Sequence, residues 1–564
     1  MADRQSWRLR AESLQLQLNQ PQTIRWAMWL IPMLFGLLSL KLGQDYNWDL
    51  RNYHLYNAFA FLNGKTEIDL APAQMQTYFN PTIDLLYYAL VKAFPGQLVS
   101  FVMGALHGLN FILVLTIARE LLPAERGIGM PLLLALAGML GNSFISQVGN
   151  TTGDNLTALT VLGALALLLR YWPRIQGGHG VKEVLLAGAL IGAGVGLKLT
   201  VAIFALAMCA AMLALPLRAM WRLRAALTFG VGVATGMAVA GGHWYWKMWA
   251  LFGNPVYPQF NKFFHSPLAT PITVVDTRFL PHGLMEYLLW PLILTFKPIR
   301  VSEIAVADPV WLFLYVGGVA LIAKIFLMRK PTHAVVSDAG APNGRMRLAV
   351  SFFALSFVIW MFLFSIYRYL IPIELLAPLM LWLLVQALLP RAVAMKVIVL
   401  LLAIIVGSNF PRANWGYAHL ASTSFKAVMP KFPNPSASIV FTVDYNAPLG
   451  WLLTLMPKEL PVVGLGSNFP ESLAFRQRVL SMARSSTGPL YAVFQKSGST
   501  VDAVHSAASQ ARDRELLDLA VDVTSRYGLV LDPSDCTTHP AFIGEHADYF
   551  KLCRVRVAEA ARPL

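Results

Sequence analysis

Two aspartates, Asp45 and Asp49, stand four positions apart where the first long apolar run of the chain gives way to Gln44-Asp-Tyr-Asn-Trp-Asp-Leu-Arg-Asn-Tyr-His54. That spacing is one helical turn. A carboxylate at the edge of a bilayer is partly desolvated and can take a proton from a hydroxyl, with Arg51 or His54 near enough to tune it. A solvated, helix-capping acid paired to Arg51 is the plainer reading of the same residues. Asp154, in Gly149-Asn-Thr-Thr-Gly-Asp-Asn155, is open to the same two readings, a second acid or the N-cap of a helix that begins just after it. Lys198 is the one cation in residues 183–216. A lone charge in so apolar a stretch points to a functional site, unless the side chain merely snorkels to the interface. Arg368, in Ser365-Ile-Tyr-Arg-Tyr-Leu-Ile-Pro372, stands likewise between two apolar runs. Two cations on one membrane face can hold a phosphate. Further on, Gly241-Gly-His-Trp-Tyr-Trp-Lys-Met-Trp249 leads to Phe252-Gly-Asn-Pro-Val-Tyr-Pro-Gln-Phe-Asn261. Trp246 and its neighbours read either as an interfacial aromatic belt or as a stacking surface for a sugar ring or lipid, with Asn254 and Asn261 as hydrogen-bond donors.

These residues must be positioned by membrane helices. Hydrophobic residues make up 56% of the 564 and charged residues 13%, about half the usual charged share. A soluble globular protein, a disordered chain and a disulfide scaffold are excluded, which leaves an α-helical polytopic membrane protein. The net charge of +15 then reads as topology, and no nucleic-acid partner is expected. Apolar runs of spanning length fall at residues 24–42, 98–118, 129–147, 156–172, 183–197, 199–216, 225–242, 309–328, 348–366, 370–389 and 395–410, which predicts about eleven spans. The first has no small-residue cleavage site and reads as an uncleaved span. The 183–216 pair breaks at Gly196-Leu-Lys-Leu-Thr200, and residues 284–297 are apolar but too short to cross.

Basic residues set the orientation. With residues 1–23, including Arg4, Arg8 and Arg10, in the cytoplasm, the inside loops gather Arg119 and Arg126, then Arg170, Arg174 and Lys182, then Arg218, Arg222 and Arg224. Lys324, Arg329, Lys330, Arg345 and Arg347 follow, then Arg391 and Lys396. The transmembrane domain is residues 24–410, its large outside loops are 43–97 and 243–308, and an odd number of spans puts residues 411–564 outside. In that tail, short β-rich runs (Ser438–Val443, Pro461–Gly466, Leu490–Phe494, Gly528–Leu531, Tyr549–Val557) alternate with helix-periodic runs at 470–485 and 510–526, which predicts a soluble α/β domain. Cys536 and Cys553 lie in it. In an oxidising compartment they can pair and contribute about 3 kcal/mol; otherwise they are two unrelated thiols.

The stretch Asp49-Leu-Arg-Asn-Tyr-His-Leu-Tyr-Asn-Ala-Phe-Ala-Phe-Leu-Asn-Gly64 resembles the first-loop signature of the GT-C superfamily of integral-membrane glycosyltransferases, which includes protein O-mannosyltransferases and lipid A aminoarabinose transferases. In both there is an acid just past the first span, an aromatic about a turn later, here Tyr53, and a small amphipathic helix ending in Gly. Phe79-Asn-Pro81 looks like the proline-containing stretch that follows in those enzymes. Asp154 falls where many carry a second-loop acid, and Gly196-Leu-Lys-Leu-Thr200 is similar to their Lys-bearing helix junction. The chain departs from the common pattern at Leu50, where many relatives have a second acid. The usual carboxylate pair is then incomplete unless Asp45 substitutes, so no metal ligand set is expected, although a divalent metal is left open.

The resemblance implies a GT-C-like fold and transfer of a sugar from a polyprenyl-phosphate carrier to an acceptor glycan, lipid or protein on the outer side of the membrane, with inversion and without an organic cofactor. It implies Asp49 as general base and Lys198 and Arg368 as donor-phosphate ligands, with Asp45, Arg51, Tyr53, His54, Asp154, Trp246 and Asn254 binding or orienting substrate. The implied location is a bacterial inner membrane, with the N-terminus cytoplasmic and the C-terminal domain periplasmic. A lipid-linked sugar transporter or flippase, or a non-catalytic envelope-assembly subunit, are the alternatives.

Overall fold

The computed structural model describes residues 20–123, 127–215, 217–327, 344–409, 414–443, 448–496 and 507–559. Arg4, Arg8, Arg10, Arg126, Arg329, Lys330 and residue 410 lie outside these. In chain order the membrane half runs α1 (Pro21–Leu42), α2 (Gly96–Leu121), α3 (Gly129–Met139), α4 (Asp154–Arg170), α5 (Val181–Leu197), α6 (Leu199–Leu213), α7 (Ala219–Phe252), α8 (Gly283–Phe296), α9 (Val310–Leu327), α10 (Gly344–Leu363), α11 (Ala377–Leu388) and α12 (Arg391–Ser408). Six of these, α1, α2, α7, α9, α10 and α12, are long and apolar enough to cross a membrane. Tyr367–Glu374 and α11, bent by 59°, make a seventh if counted as one span.

The sequence predicts about eleven membrane helices, and six or seven of them, among the described residues, have full spanning length. All eleven runs are helical, but α3 has 11 residues, α6 is also short, and α4 and α5 have 17 each. At 1.5 Å per residue, 17 residues reach about 25 Å, the lower limit for crossing. The physical reason is where the helices stop. A polar, Gly-containing segment, 140–153, separates α3 from α4, and an extended residue, Lys198 (φ −148°, ψ 113°), separates α5 from α6. Within the outside loop expected at 243–308, the first ten residues continue α7, a helix of 34 residues, and the short apolar run at 284–297 is the 14-residue helix α8.

Close helix packing rests on small residues. A Cβ on Gly188 or Gly192 of α5 would lie 2.2 Å from the Phe229 or Val233 carbonyl oxygen of α7, so only glycine permits this approach. At the opposite end from the basic loops, the chain segments leaving α1 and α12 meet as a two-stranded antiparallel ribbon of β1 (Gln44–Asp45) and β2 (Tyr417–Ala418).

The C-terminal domain is a mixed sheet of β3 (Phe425–Ala427), β4 (Ile439–Thr442), β5 (Val462–Gly464), β6 (Leu490–Lys496), β7 (Leu529–Ile543) and β8 (His546–Val557), in the order β3-β7-β8-β6-β4-β5. β4 is parallel to β5 and β6, and the other neighbours are antiparallel. Helices α13 (Leu473–Ser485) and α14 (Ala507–Ser525) accompany it. The run expected to end at Leu531 continues to Ile543, because β8 pairs with it along most of that length. Cys536 and Cys553 are joined across β7 and β8. This domain is seated on the loop between α1 and α2. Leu70 bridges to Val463, and a Cβ on Gly450 would lie 1.7 Å from the Asn52 carbonyl oxygen. The Lys65 ammonium, buried, donates to the carbonyls of Lys458 (3.2 Å) and Leu460 (2.7 Å).

Candidate functional site

Asp49 lies in the first turn of a helix that starts at Trp48 and continues through a π-helical turn (Leu50–His54) to Leu62. The start is fixed by Asn47, whose Oδ1 accepts the Leu50 N–H at 2.7 Å. Capping thus falls to Asn47, and the Asp49 carboxylate is free to face the membrane half. Asp154 is the first residue of α4. The carbonyl of Gly153 accepts the Thr157 N–H, so Gly153 holds the cap position that sequence reasoning gave to Asp154. Gly153 has φ +81°, and a Cβ there would lie 2.8 Å from Ile83.

Four chain segments converge on one guanidinium. Arg368, in the 3-10 turn Tyr367–Leu370, places Nη1 3.2 Å from Asp154 Oδ2 and 3.5 Å from Asp49 Oδ2, and Nε 3.4 Å from Glu303 Oε1. Lys198 Nζ donates to the other Asp154 oxygen at 2.5 Å and to the Thr152 carbonyl at 2.7 Å. Asp154 is therefore clamped between the two cations. The Tyr369 ring lies 5.3 Å from Lys198 Nζ and 4.8 Å from the Arg368 guanidinium, which also has Trp415 at 5.8 Å. Asp154 is 5% exposed, whereas Glu303 is 32% exposed, so the cluster opens on the Glu303 side. Three carboxylates face two cations. Such a group, largely withdrawn from water, holds only while each charge is matched by close partners.

The remaining expected site residues separate into those beside this cluster and those away from it. Tyr53 is buried edge-on to Phe79 at 5.6 Å, and burial, together with the charge of Asp49, holds its phenol well above the usual range. His54 Nδ1 lies 2.6 Å from Asp84 Oδ1. Burial pushes the Asp84 carboxyl up, while His54 and, at longer range, Lys198 pull it down. Asp45 spends both oxygens on structure. Oδ1 accepts from the Asn47 N–H and Nδ2, and Oδ2 accepts from the Thr151 N–H and hydroxyl, so Asp45 ties the first loop to the segment carrying Asp154. Arg51 turns toward the C-terminal domain, donating to the Tyr46 hydroxyl at 3.0 Å, which in turn donates to Asp548. Trp246 is 71% exposed on α7, and Asn254 closes its own turn with Gln259 and Val256. Neither joins the cluster.

Sequence reasoning missed Asp84, Glu303, Tyr369 and Trp415. Glu303 had a usable signal, an acid in a loop a few residues before a span, as with Asp154. Among the described residues no group of three or more His, Cys, Asp or Glu side chains is arranged to hold a metal ion.

No family profile and no curated protein sequence matches the chain. Among solved structures, the archaeal oligosaccharyltransferase AglB from Archaeoglobus fulgidus, in complex with an inhibitory peptide and a dolichol-phosphate, is similar with a TM-score of 0.47 and 13% identity, over 83% of this chain and 69% of that one.

Proposed function

We propose that this protein is a membrane glycosyltransferase that moves a sugar from a polyprenyl-phosphate carrier to an acceptor hydroxyl on the side of the membrane occupied by its C-terminal domain. In a bacterial cell that side is the periplasm, and the inner membrane is the location. The observation that carries this reading is the convergence of Asp49, Asp154, Lys198 and Arg368, drawn from four separate segments, at the ends of the spans. The first-loop resemblance to GT-C enzymes gives the reaction class.

In the reaction Asp49 accepts the proton of the acceptor hydroxyl as its oxygen attacks the anomeric carbon. The bond from that carbon to the carrier phosphate breaks with inversion, and the negative charge left on the phosphate is met by Arg368 and Lys198. Arg368 is suited to this because its planar fork offers donors in several directions, and Lys198 adds a point charge. Asp154 is the resting partner of both cations, so the donor phosphate takes over contacts that Asp154 makes. Tyr369 and Trp415 flank the guanidinium as apolar walls.

The test is transfer of radiolabelled sugar from a polyprenyl-phosphate sugar by the purified full chain in proteoliposomes. Asp49→Asn should lower turnover at least about 100-fold while insertion and unfolding behaviour are retained. A variant with full activity would remove the base. A wild-type chain that binds the carrier and flips it without transfer would favour a transporter.

A further inference from the structure

Beneath the ion cluster lies a second polar assembly that the reaction does not use. Glu374 is 1% exposed, and among the described residues no cation pairs with it. Its carboxylate is instead fully engaged by neutral donors. Oε1 accepts the Ser143 N–H at 2.9 Å and the Tyr367 hydroxyl at 2.8 Å, and Oε2 accepts the Phe144 N–H at 2.9 Å. The Tyr367 hydroxyl accepts the Trp311 indole N–H at 2.9 Å, and the Tyr367 N–H donates to the Val301 carbonyl at 2.7 Å. A buried acid is costly unless hydrogen bonds offset its lost hydration, and three such bonds do so here.

The value of this arrangement lies in what each partner carries next along the chain. Ser143 and Phe144 begin the segment that ends in Asp154. Val301 is two residues before Glu303. Tyr367 is the immediate neighbour of Arg368, its side chain buried toward Glu374 while the guanidinium reaches the three carboxylates. One tyrosine and one glutamate thus tie together the backbones that hold Arg368, Asp154 and Glu303. Gly141 leaves room for this, since a Cβ there would lie 2.9 Å from the Glu374 carboxyl carbon.

We propose that Tyr367 and Glu374 are a pair of positioning residues that set the separation of Arg368 from Asp154 and Glu303, and through it the fit of the donor phosphate. The second half of that statement rests on the glycosyltransferase reading; the first does not. Tyr367→Phe is the cleaner variant because it keeps Glu374 on its two amide donors, and Glu374→Gln is the second.

The experiment is hydrogen exchange by mass spectrometry on the full chain in nanodiscs, run beside steady-state transfer kinetics. Glu374→Gln should speed exchange at least tenfold in peptides covering 141–153, where the Ser143 and Phe144 N–H groups donate to it, and Tyr367→Phe in peptides covering 365–370, where the residue 367 N–H donates to the Val301 carbonyl; α7 should be unchanged in both. Tyr367→Phe should lower kcat/KM at least tenfold, mainly through the donor KM, and should be no worse in combination with Arg368→Lys than Arg368→Lys alone. Unchanged exchange, or a uniform increase across the protein, overturns the positioning pair. So does a Tyr367→Phe loss that adds to that of Arg368→Lys. If exchange changes locally while the wild type transfers no sugar, the pair stands and the glycosyltransferase reading falls.

Discussion

Asn52, His54 and Asn57 in the loop between α1 and α2 are 1–4% exposed, whereas Trp246 and Phe263, at and beyond the C-terminal end of α7, are 71% and 72% exposed. Both regions read in the sequence as a span end followed by aromatic and amide residues. In the first, polar groups are turned inward and bond one another or the C-terminal domain. In the second, the indole of Trp244 donates to the Tyr78 carbonyl, but Trp246, two residues on, faces outward from the same helix. The difference teaches that residue type at a membrane edge does not specify a substrate surface. What decides is whether a second chain segment closes over it: the C-terminal domain covers the first loop and also reaches residues 267–270, where Ser472 donates to the Pro267 carbonyl and Ala269 bridges to Glu471, but Trp246 stays outside that cover.

That comparison can be sharpened first at Lys65. Its ammonium is buried against two carbonyls and lies 3.1 Å from Asp69, which also accepts from Tyr56 and from the Val462 N–H. Lys65→Ala leaves Asp69 buried without its cation, and the expected cost is about 3 kcal/mol. Denaturant unfolding of the purified chain measures it, and a loss under 1 kcal/mol would mean that the covered loop does not depend on this link. The first loop should also respond to pH. Burial pushes the Asp45 and Asp69 carboxyls up to about 6 each, so the folded chain holds protons that the unfolded chain releases near pH 4. Their contribution to stability is fully present below about pH 4 and is lost as pH rises through about 6. The drop in unfolding temperature from pH 5 to pH 7.5 should shrink in Asp45→Asn, and an unchanged drop would take Asp45 out of this account.

The smallest effect is expected at the uncovered end. Trp246→Ala should leave transfer within twofold of wild type in the same proteoliposome assay. A loss above tenfold would break the comparison and return Trp246 to the substrate surface.

Much of the scaffold was legible because it obeys local rules. The apolar runs are helices, Lys198 breaks α5 from α6 as its Gly-rich surroundings suggest, and the β-rich runs of the tail are strands. Asp49, Asp154, Lys198 and Arg368 stood out because charge at the end of an apolar run is rare enough to notice. Their pairing was not legible, since Arg368 finds Asp154 across 214 positions and Glu374 finds Ser143 across 231. Tyr367 and Glu374 sit in an apolar context where nothing local marks them as polar anchors. Arg51 seemed part of the site because it is two residues from Asp49, yet its partner network runs to Asp548 in the last strand. The run expected at 129–147 breaks at Leu140-Gly141 and resumes as the short helix Asn142–Ser146, an interruption that average hydropathy does not mark.

The central claim is that Lys198 and Arg368 receive a carrier phosphate while Asp49 faces it. The most direct measurement is the affinity of the nanodisc-reconstituted full chain for a polyprenyl phosphate, compared between wild type and Lys198→Ala. The account predicts binding weakened about 10- to 100-fold, as expected for loss of one charge-assisted contact of about 1.5–3 kcal/mol. Affinity equal to that of wild type, in a variant that remains folded, would contradict it.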